Sequence, residues 1–306
     1  TYTGGTTVNQ ATLTLNATAG AGTIVIPAGG ITLNNANLTM STNQGQIDST
    51  NDVTIVGGGV LTLVGANTLR SLAFDNVGGT ATPSVAVATS LTLSAATAIN
   101  ATNDNLSTTP TVSGTALMLS NANPVINVNA GLAASGLIIT SPLDTNGGGV
   151  ITKTGAGSLI LSGGVAHVLT GGLNVNGGTL VFDVTAGTNP YGTGTITLGN
   201  GVAVRGGTGA RTVANPISIV GDLTFGSLAG ENATANATNN LTLSGTVTLA
   251  PAAHTLTVNG LLMVGTISGK LTGAGFAKSG PGTLVLSNNT NDYAGATAVN
   301  GGTLQL

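Results

Sequence analysis

Lys153-Thr154-Gly155-Ala156-Gly157-Ser158-Leu159-Ile160-Leu161-Ser162 recurs 125 residues downstream as Lys278-Ser279-Gly280-Pro281-Gly282-Thr283-Leu284-Val285-Leu286-Ser287. Each copy is followed by Val-Asn-Gly-Gly-Thr-Leu, first at 175–180 and again at 299–304. The same downstream half opens the chain as Tyr2-Thr3-Gly4-Gly5-Thr6-Thr7-Val8-Asn9 and closes on Thr12-Leu13-Thr14-Leu15. Self-similarity of this kind is the signature of stacked repeat architectures. The upstream half of the first copy would precede residue 1, so a segment of a longer repetitive protein is expected.

Between the repeats the same local grammar continues. Val60-Leu61-Thr62-Leu63-Val64, Ser90-Leu91-Thr92-Leu93-Ser94, Gly194-Thr195-Ile196-Thr197-Leu198 and Asn240-Leu241-Thr242-Leu243-Ser244 alternate aliphatic and hydroxyl side chains. Period-two alternation describes strands with one buried face. Clusters of Gly, Asn, Asp and Pro separate them, as turns demand. The chain therefore reads as all-β. Charged residues are 5% and aromatic ones 2%, with no Trp and 49 Gly among 306 residues; a typical soluble domain carries about 25% charged residues. A sandwich core usually draws on large aromatic residues, whereas a narrow solenoid interior is filled by stacked Leu, Val, Ile and Ala. The composition selects the β-solenoid. Asn-rich turns fit it, because Asn tolerates left-handed backbone and stacks into amide ladders.

The order Lys-Thr-Gly-x-Gly-Thr-Leu-x-Leu-Ser, then Tyr-x-Gly-x-Thr-x-Val-Asn-x-Gly-Thr-Leu, resembles the autotransporter-associated β-strand repeat of bacterial surface-protein passengers. The stretch 278–306 is the better match. In the middle copy Leu169 stands near the place of the Tyr, and Ala166-His167 replaces Asn-Thr. Ala214-Asn215-Pro216-Ile217-Ser218 and Thr266-Ile267-Ser268-Gly269 are similar to segments of such proteins. The clear motif covers about a quarter of the chain, near 1–15, 150–182 and 275–306. The resemblance implies a single-stranded right-handed parallel β-helix, export and surface display, and an architectural repeat without catalytic residues. One continuous solenoid over 1–306 is expected, with about 20–25 residues per rung, about 12–15 rungs and a rod about 60–70 Å long. The polar stretches 43–52, 100–113 and 230–240 are expected to be lateral loops.

Several function classes are disfavoured. The mean hydropathy is +0.41, yet no run of about 18 apolar residues exists for a spanning helix. Four Phe and three Tyr cannot build the aromatic girdles of a membrane barrel, so no membrane insertion of this segment is expected. Six Lys and Arg against nine Asp and Glu leave no basic stripe for nucleic acid. There is no Cys, hence no disulfide or thiol chemistry. Thr1-Tyr2-Thr3-Gly4-Gly5 has neither the charged nor the apolar region of a signal peptide.

The acids are Asp48, Asp52, Asp75, Asp104, Asp144, Asp183, Asp222, Glu231 and Asp292. Glycoside chemistry needs carboxylates gathered on one face, and only Asp48 and Asp52 are neighbours; both read as turn residues capping backbone donors. Gly57-Gly58-Gly59 and Gly147-Gly148-Gly149 lack the Asp of tandem calcium repeats. His167 and His254 have no metal-ligand spacing and read as solvent-facing or turn residues. Lys153 and Lys278 read as solvated turn lysines whose stems cover the preceding rung. Gly155-x-Gly157 and Gly280-x-Gly282 precede strands, not helices, so no nucleotide loop is expected. The Thr-x-Thr pairs Thr12/Thr14, Thr195/Thr197, Thr246/Thr248 and Thr255/Thr257 are too irregular for an ice-binding face. The sequons at Asn232 and Asn236 are of the frequency chance provides. No catalytic residue, cofactor site or metal site is expected.

The leading expectation is a non-catalytic structural stalk or fibre segment of an extracellular bacterial surface protein. Its partners would be other copies or neighbouring repeats, end to end, because the same half-motif stands at 2–9 and 293–300 and unpaired edges template pairing. A second reading is an adhesin that takes glycans or a host surface on lateral loops. A third is a polysaccharide-active β-helix enzyme.

Overall fold

The computed structural model describes residues 2–18, 20–145, 147–187, 189–228 and 239–306. Every named strand pairing is parallel, and strands pair with the coil before and the coil after rather than with their neighbours in sequence. The chain winds as a β-solenoid of about twelve turns, all-β, with no helix among the described residues. One turn takes from 19 residues, Val53 to Leu72, to 33 residues, Leu223 to Leu256.

Three faces define the coil. The first face begins with Thr6–Asn9, Ile31–Asn34 and Asp52–Val56 and runs to the start of Leu271–Ser279. The second begins with Thr12–Leu15 and Asn37–Met40, continues through the far part of Leu271–Ser279 and ends on Ala294–Val299. The third is interrupted. One ladder joins Ala66–Leu69, Ser90–Leu93, Leu117–Leu119 and Leu143–Asp144; another joins Arg211–Val213, Leu241–Leu243, Val264–Ile267, Thr283–Leu286 and Thr303–Gln305. Between them the third side is made of turns, tied by Val168 N–H to Leu143 O (2.8 Å), His167 N–H to Pro190 O (2.9 Å) and Gly194 N–H to Leu169 O (2.9 Å).

Register makes columns. Inward side chains alternate with outward ones along each strand, so parallel pairing stacks each core residue on its counterpart one turn away. Val8, Leu33, Ile55, Phe74, Ala101 and Val128 form one column. Leu161, Phe182 and Gly206 fall in another. Large residues are compensated by small ones in the next coil, Phe74 by Ala101 and Phe182 by Gly206, as close packing in a narrow interior requires. Gly265 does the same across the core: a Cβ there would lie 2.8 Å from the Phe225 ring.

The polar stretches behave differently from the lateral loops the composition suggests. Residues 100–113 contain the end of strand Thr97–Asn103 and most of Thr111–Gly114, joined by a turn. Their asparagines are ladder members: Asn76 Nδ2 donates to Asn103 Oδ1 at 2.7 Å inside the coil, and Asn127 Nδ2 to Asn100 Oδ1 at 2.7 Å outside it. Residues 43–52 form one side of a coil, with Ile47 bridged to Ile26 and with Gln46 and Asn51 buried. Amide side chains that bond to backbone or to each other are cheap to bury, which is why an Asn-rich string need not be a loop. Of the stretch 230–240, residues 230–238 lie outside the described residues, and Asn239 is buried.

The compensation rule is testable. Gly265→Ala overpacks Phe225 and should destabilise the chain by about 1–3 kcal/mol. Adding Phe225→Leu should recover part of that loss in chemical denaturation; independent, additive effects would contradict the packing.

Candidate functional site

The inward column of the first face runs Ile31, Val53, Leu72, Ile99, Ile126, Lys153 and Val175. A lysine therefore occupies an aliphatic stack. On the second face Leu256, Lys278 and Val299 repeat the arrangement. Both lysines have no exposed surface, which corrects the solvated-turn expectation. Its physical reason is the alternation itself: Ile151 and Phe276 point inward, so the residues two further on must do so as well.

Each ammonium is held by backbone carbonyl oxygens. Lys153 Nζ donates to Thr154 O (3.2 Å), Gly155 O (2.7 Å) and Gly157 O (2.6 Å) in its own turn, and to Gly177 O (2.7 Å) in the next coil. Lys278 Nζ donates to Ser279 O (2.8 Å), Gly280 O (2.9 Å) and Gly301 O (2.9 Å). Burial lowers the Lys278 ammonium below the ordinary lysine range. The motif glycines follow from this cage. Gly155 and Gly178 have φ of 76° and 67°, and a Cβ on Gly178 would stand 2.7 Å from Lys153 Nζ. Gly302 stands in the same relation to Lys278, at 2.9 Å. Lysine, its own glycine turn and the Gly-Gly pair of the following coil are one unit.

That unit is a corner, independent of the face on which it sits. Residues 151–154 and 158–163 turn from the first face to the second, whereas 278 and 283–286 turn from the second to the third. The tyrosine and threonine of the motif also work as a pair: Tyr2 OH bonds Thr6 Oγ1 at 2.7 Å and Tyr293 OH bonds Thr297 Oγ1 at 3.0 Å. In the middle copy both members change together, to Leu169 and Leu173, and both are buried.

The other candidates are dispersed. Asp48 Oδ1 accepts from Thr50 N–H (2.9 Å) and Thr50 Oγ1 (2.6 Å), a turn cap whose hydroxyl bond lowers its pKa. Asp52 is raised by burial, but the Arg70 and Ser71 hydrogen bonds and the Arg70 charge outweigh this and its pKa falls. Asp104 accepts from Leu132 N–H, Asp222 from Thr255 N–H, and Asp292 pairs with Lys270. Asp183 accepts from Thr208 N–H (2.8 Å), Thr208 Oγ1 (2.9 Å) and Arg211 Nη2 (2.6 Å), pinning the 206–211 turn. Glu231, Asn232 and Asn236 lie outside the described residues. Among the described residues no three His or acidic groups gather as a metal site would need, and no helix is long and apolar enough to cross a membrane.

His167 is buried, which corrects the solvent-facing expectation, while His254 is half-buried and its Nε2 lies 3.1 Å from Ala250 O. His167 Nδ1 accepts from Leu143 N–H at 3.0 Å, and its ring stacks on Tyr191 at 6.2 Å. Tyr191 OH accepts from Val184 N–H at 3.0 Å, and burial raises its phenol pKa. Burial lowers His167 to about 4. His167 and Tyr191 fill the third side where its strands are missing.

The geometry defines a parallel β-solenoid with lysine-centred corners. Residues 1–15, 151–182 and 276–306 match the family model of the passenger-associated-transport-repeat, and in those stretches and in its fold the chain is similar to the β-helix repeat proteins of autotransporter passengers. No curated protein and no solved structure matches the chain. The family implies a secreted or cell-surface protein. Both lysine cages lie within the two longer matched stretches.

Lys153→Met keeps the stem and removes the donor, leaving buried carbonyls unsatisfied at about 1–3 kcal/mol each. It should lower stability by about 3 kcal/mol or more, while Lys270→Met, at a half-buried surface ion pair, stays within about 0.5 kcal/mol; equal effects in denaturant titrations would contradict the cage. A second outcome concerns acid. His167 has a folded pKa below its unfolded 6.5, so its share of stability is complete above that value and drains as pH falls toward 4. Stability should drop by about 2 kcal/mol between pH 6.5 and about pH 5. His167→Gln should remove that slope, and an unchanged slope would place the titrating group elsewhere.

Proposed function

We propose that this chain is a non-catalytic stalk segment of a secreted or cell-surface protein, which holds other parts of that protein away from their point of attachment. The observation that carries the reading is the lysine corner, which spends the motif's only cation on backbone carbonyls of two successive coils. A group so enclosed binds coil to coil and reaches no substrate. Asp48, Asp52, Asp183 and Asp292 are engaged in turn caps and ion pairs spread along the rod, an arrangement that suits architecture better than glycoside chemistry. The partners along the axis are further β-coils, of the same or another chain, because the lysine motif is completed only by a stacked neighbour. The family's surface setting supports this reading.

A glycan array and a reducing-sugar assay on the purified chain separate the alternatives. The stalk reading expects a silent array and no release of reducing ends. Polysaccharide turnover lost in Asp48→Ala or Asp52→Ala would overturn it in favour of an enzyme, and saturable glycan binding would overturn it in favour of an adhesin.

A further inference from the structure

Glycine turns that precede strands invite comparison with anion-binding loops, in which backbone N–H groups converge on a phosphate. Here the opposite groups converge. Four carbonyl oxygens surround one point at 154–157 and 177, between 2.6 and 3.2 Å from Lys153 Nζ. Three surround a like point at 279–280 and 301, between 2.8 and 2.9 Å from Lys278 Nζ. These named oxygens belong to the backbone, and positive-φ glycines hold several of them in place. Gly157 N–H donates in turn to Val128 O at 2.9 Å, anchoring the turn to the coil before it. The ring is therefore set by the coil as well as by the side chain that fills it.

Rings of backbone carbonyls replace the hydration shell of monovalent cations such as potassium. Divalent cations instead favour carboxylate ligands, and none of the named oxygens is one. We propose that each corner is a monovalent-cation site whose resident cation is the lysine ammonium. Emptied of its lysine, the ring takes a free potassium or ammonium ion between the same two coils. Water is the competing occupant, but it offers two protons to three or four acceptors.

The experiment uses the full chain with Lys153→Ala, melted in ammonium, potassium and tetramethylammonium chlorides at neutral pH and equal ionic strength. Tetramethylammonium is too large for the ring and has no proton to donate. The wild type should melt alike in all three salts. The variant should melt at least about 4 °C lower than wild type in tetramethylammonium chloride and recover about half of that loss in ammonium or potassium chloride. Lys278→Ala should behave in the same way, and Lys270→Ala should be indifferent to the salt. If Lys153→Ala folds only in the ammonium or potassium salt, the proposal stands. Equal melting of both cage variants in all three salts, or failure of both to fold in any of them, would overturn it.

Discussion

A parallel strand ladder imposes one constraint from which the rest of this molecule follows: whatever a residue is, its counterpart one turn away lies directly above or below it. A column can then hold only residues that tolerate their neighbours in the stack. Aliphatics satisfy this in most columns, small residues make room for the few large ones, and asparagines satisfy it by bonding amide to amide. The scarcity of charge has the same origin, since like charges stacked at strand spacing of about 4.8 Å repel one another.

Lysine 153 and lysine 278 meet the constraint in a different way. Neither stacks on another lysine; each stands alone in its column, with Ile126 and Val175, or Leu256 and Val299, on either side. The methylene stem continues the aliphatic stack, and the ammonium reaches the carbonyls of the corner, one of which, Gly157 O, also accepts from Thr179 N–H of the next coil at 3.4 Å. A buried cation is costly unless fully hydrogen-bonded, and three or four carbonyls supply those bonds. The glycines are the geometric consequence, because a side chain at Gly178 or Gly302 would occupy the space of the ammonium. The repeat is thus a recipe for a corner, which is why one copy serves the first and second faces and another the second and third.

The all-β class and the solenoid were legible in the sequence, through the alternation of stretches such as Val60–Leu63 and the recurrence of the lysine motif; amide ladders were expected in the turns, whereas Asn100 and Asn103 form theirs within the strand Thr97–Asn103. The burial of the lysines was equally written there, in Ile151-x-Lys153 and Phe276-x-Lys278, but lysine's usual place in solvent outweighs a two-residue alternation when no partner is visible. Those partners are carbonyls, which every residue has and no residue name announces. His167 was illegible for a related reason: it is buried where the third side has no strand, so no alternation marks it. The face on which a corner falls was also hidden, because the motif is local while the face depends on every residue count before it.

Amine-selective acetylation of the native chain, followed by peptide mass spectrometry, tests the buried corner most directly. The chain has three lysines, and Lys270 serves as the internal standard because its side chain is about two-fifths exposed. Rapid modification of Lys270, with Lys153 and Lys278 protected until denaturant unfolds the coils, is the result this account predicts. Modification of all three lysines at similar rates in the native state would contradict it.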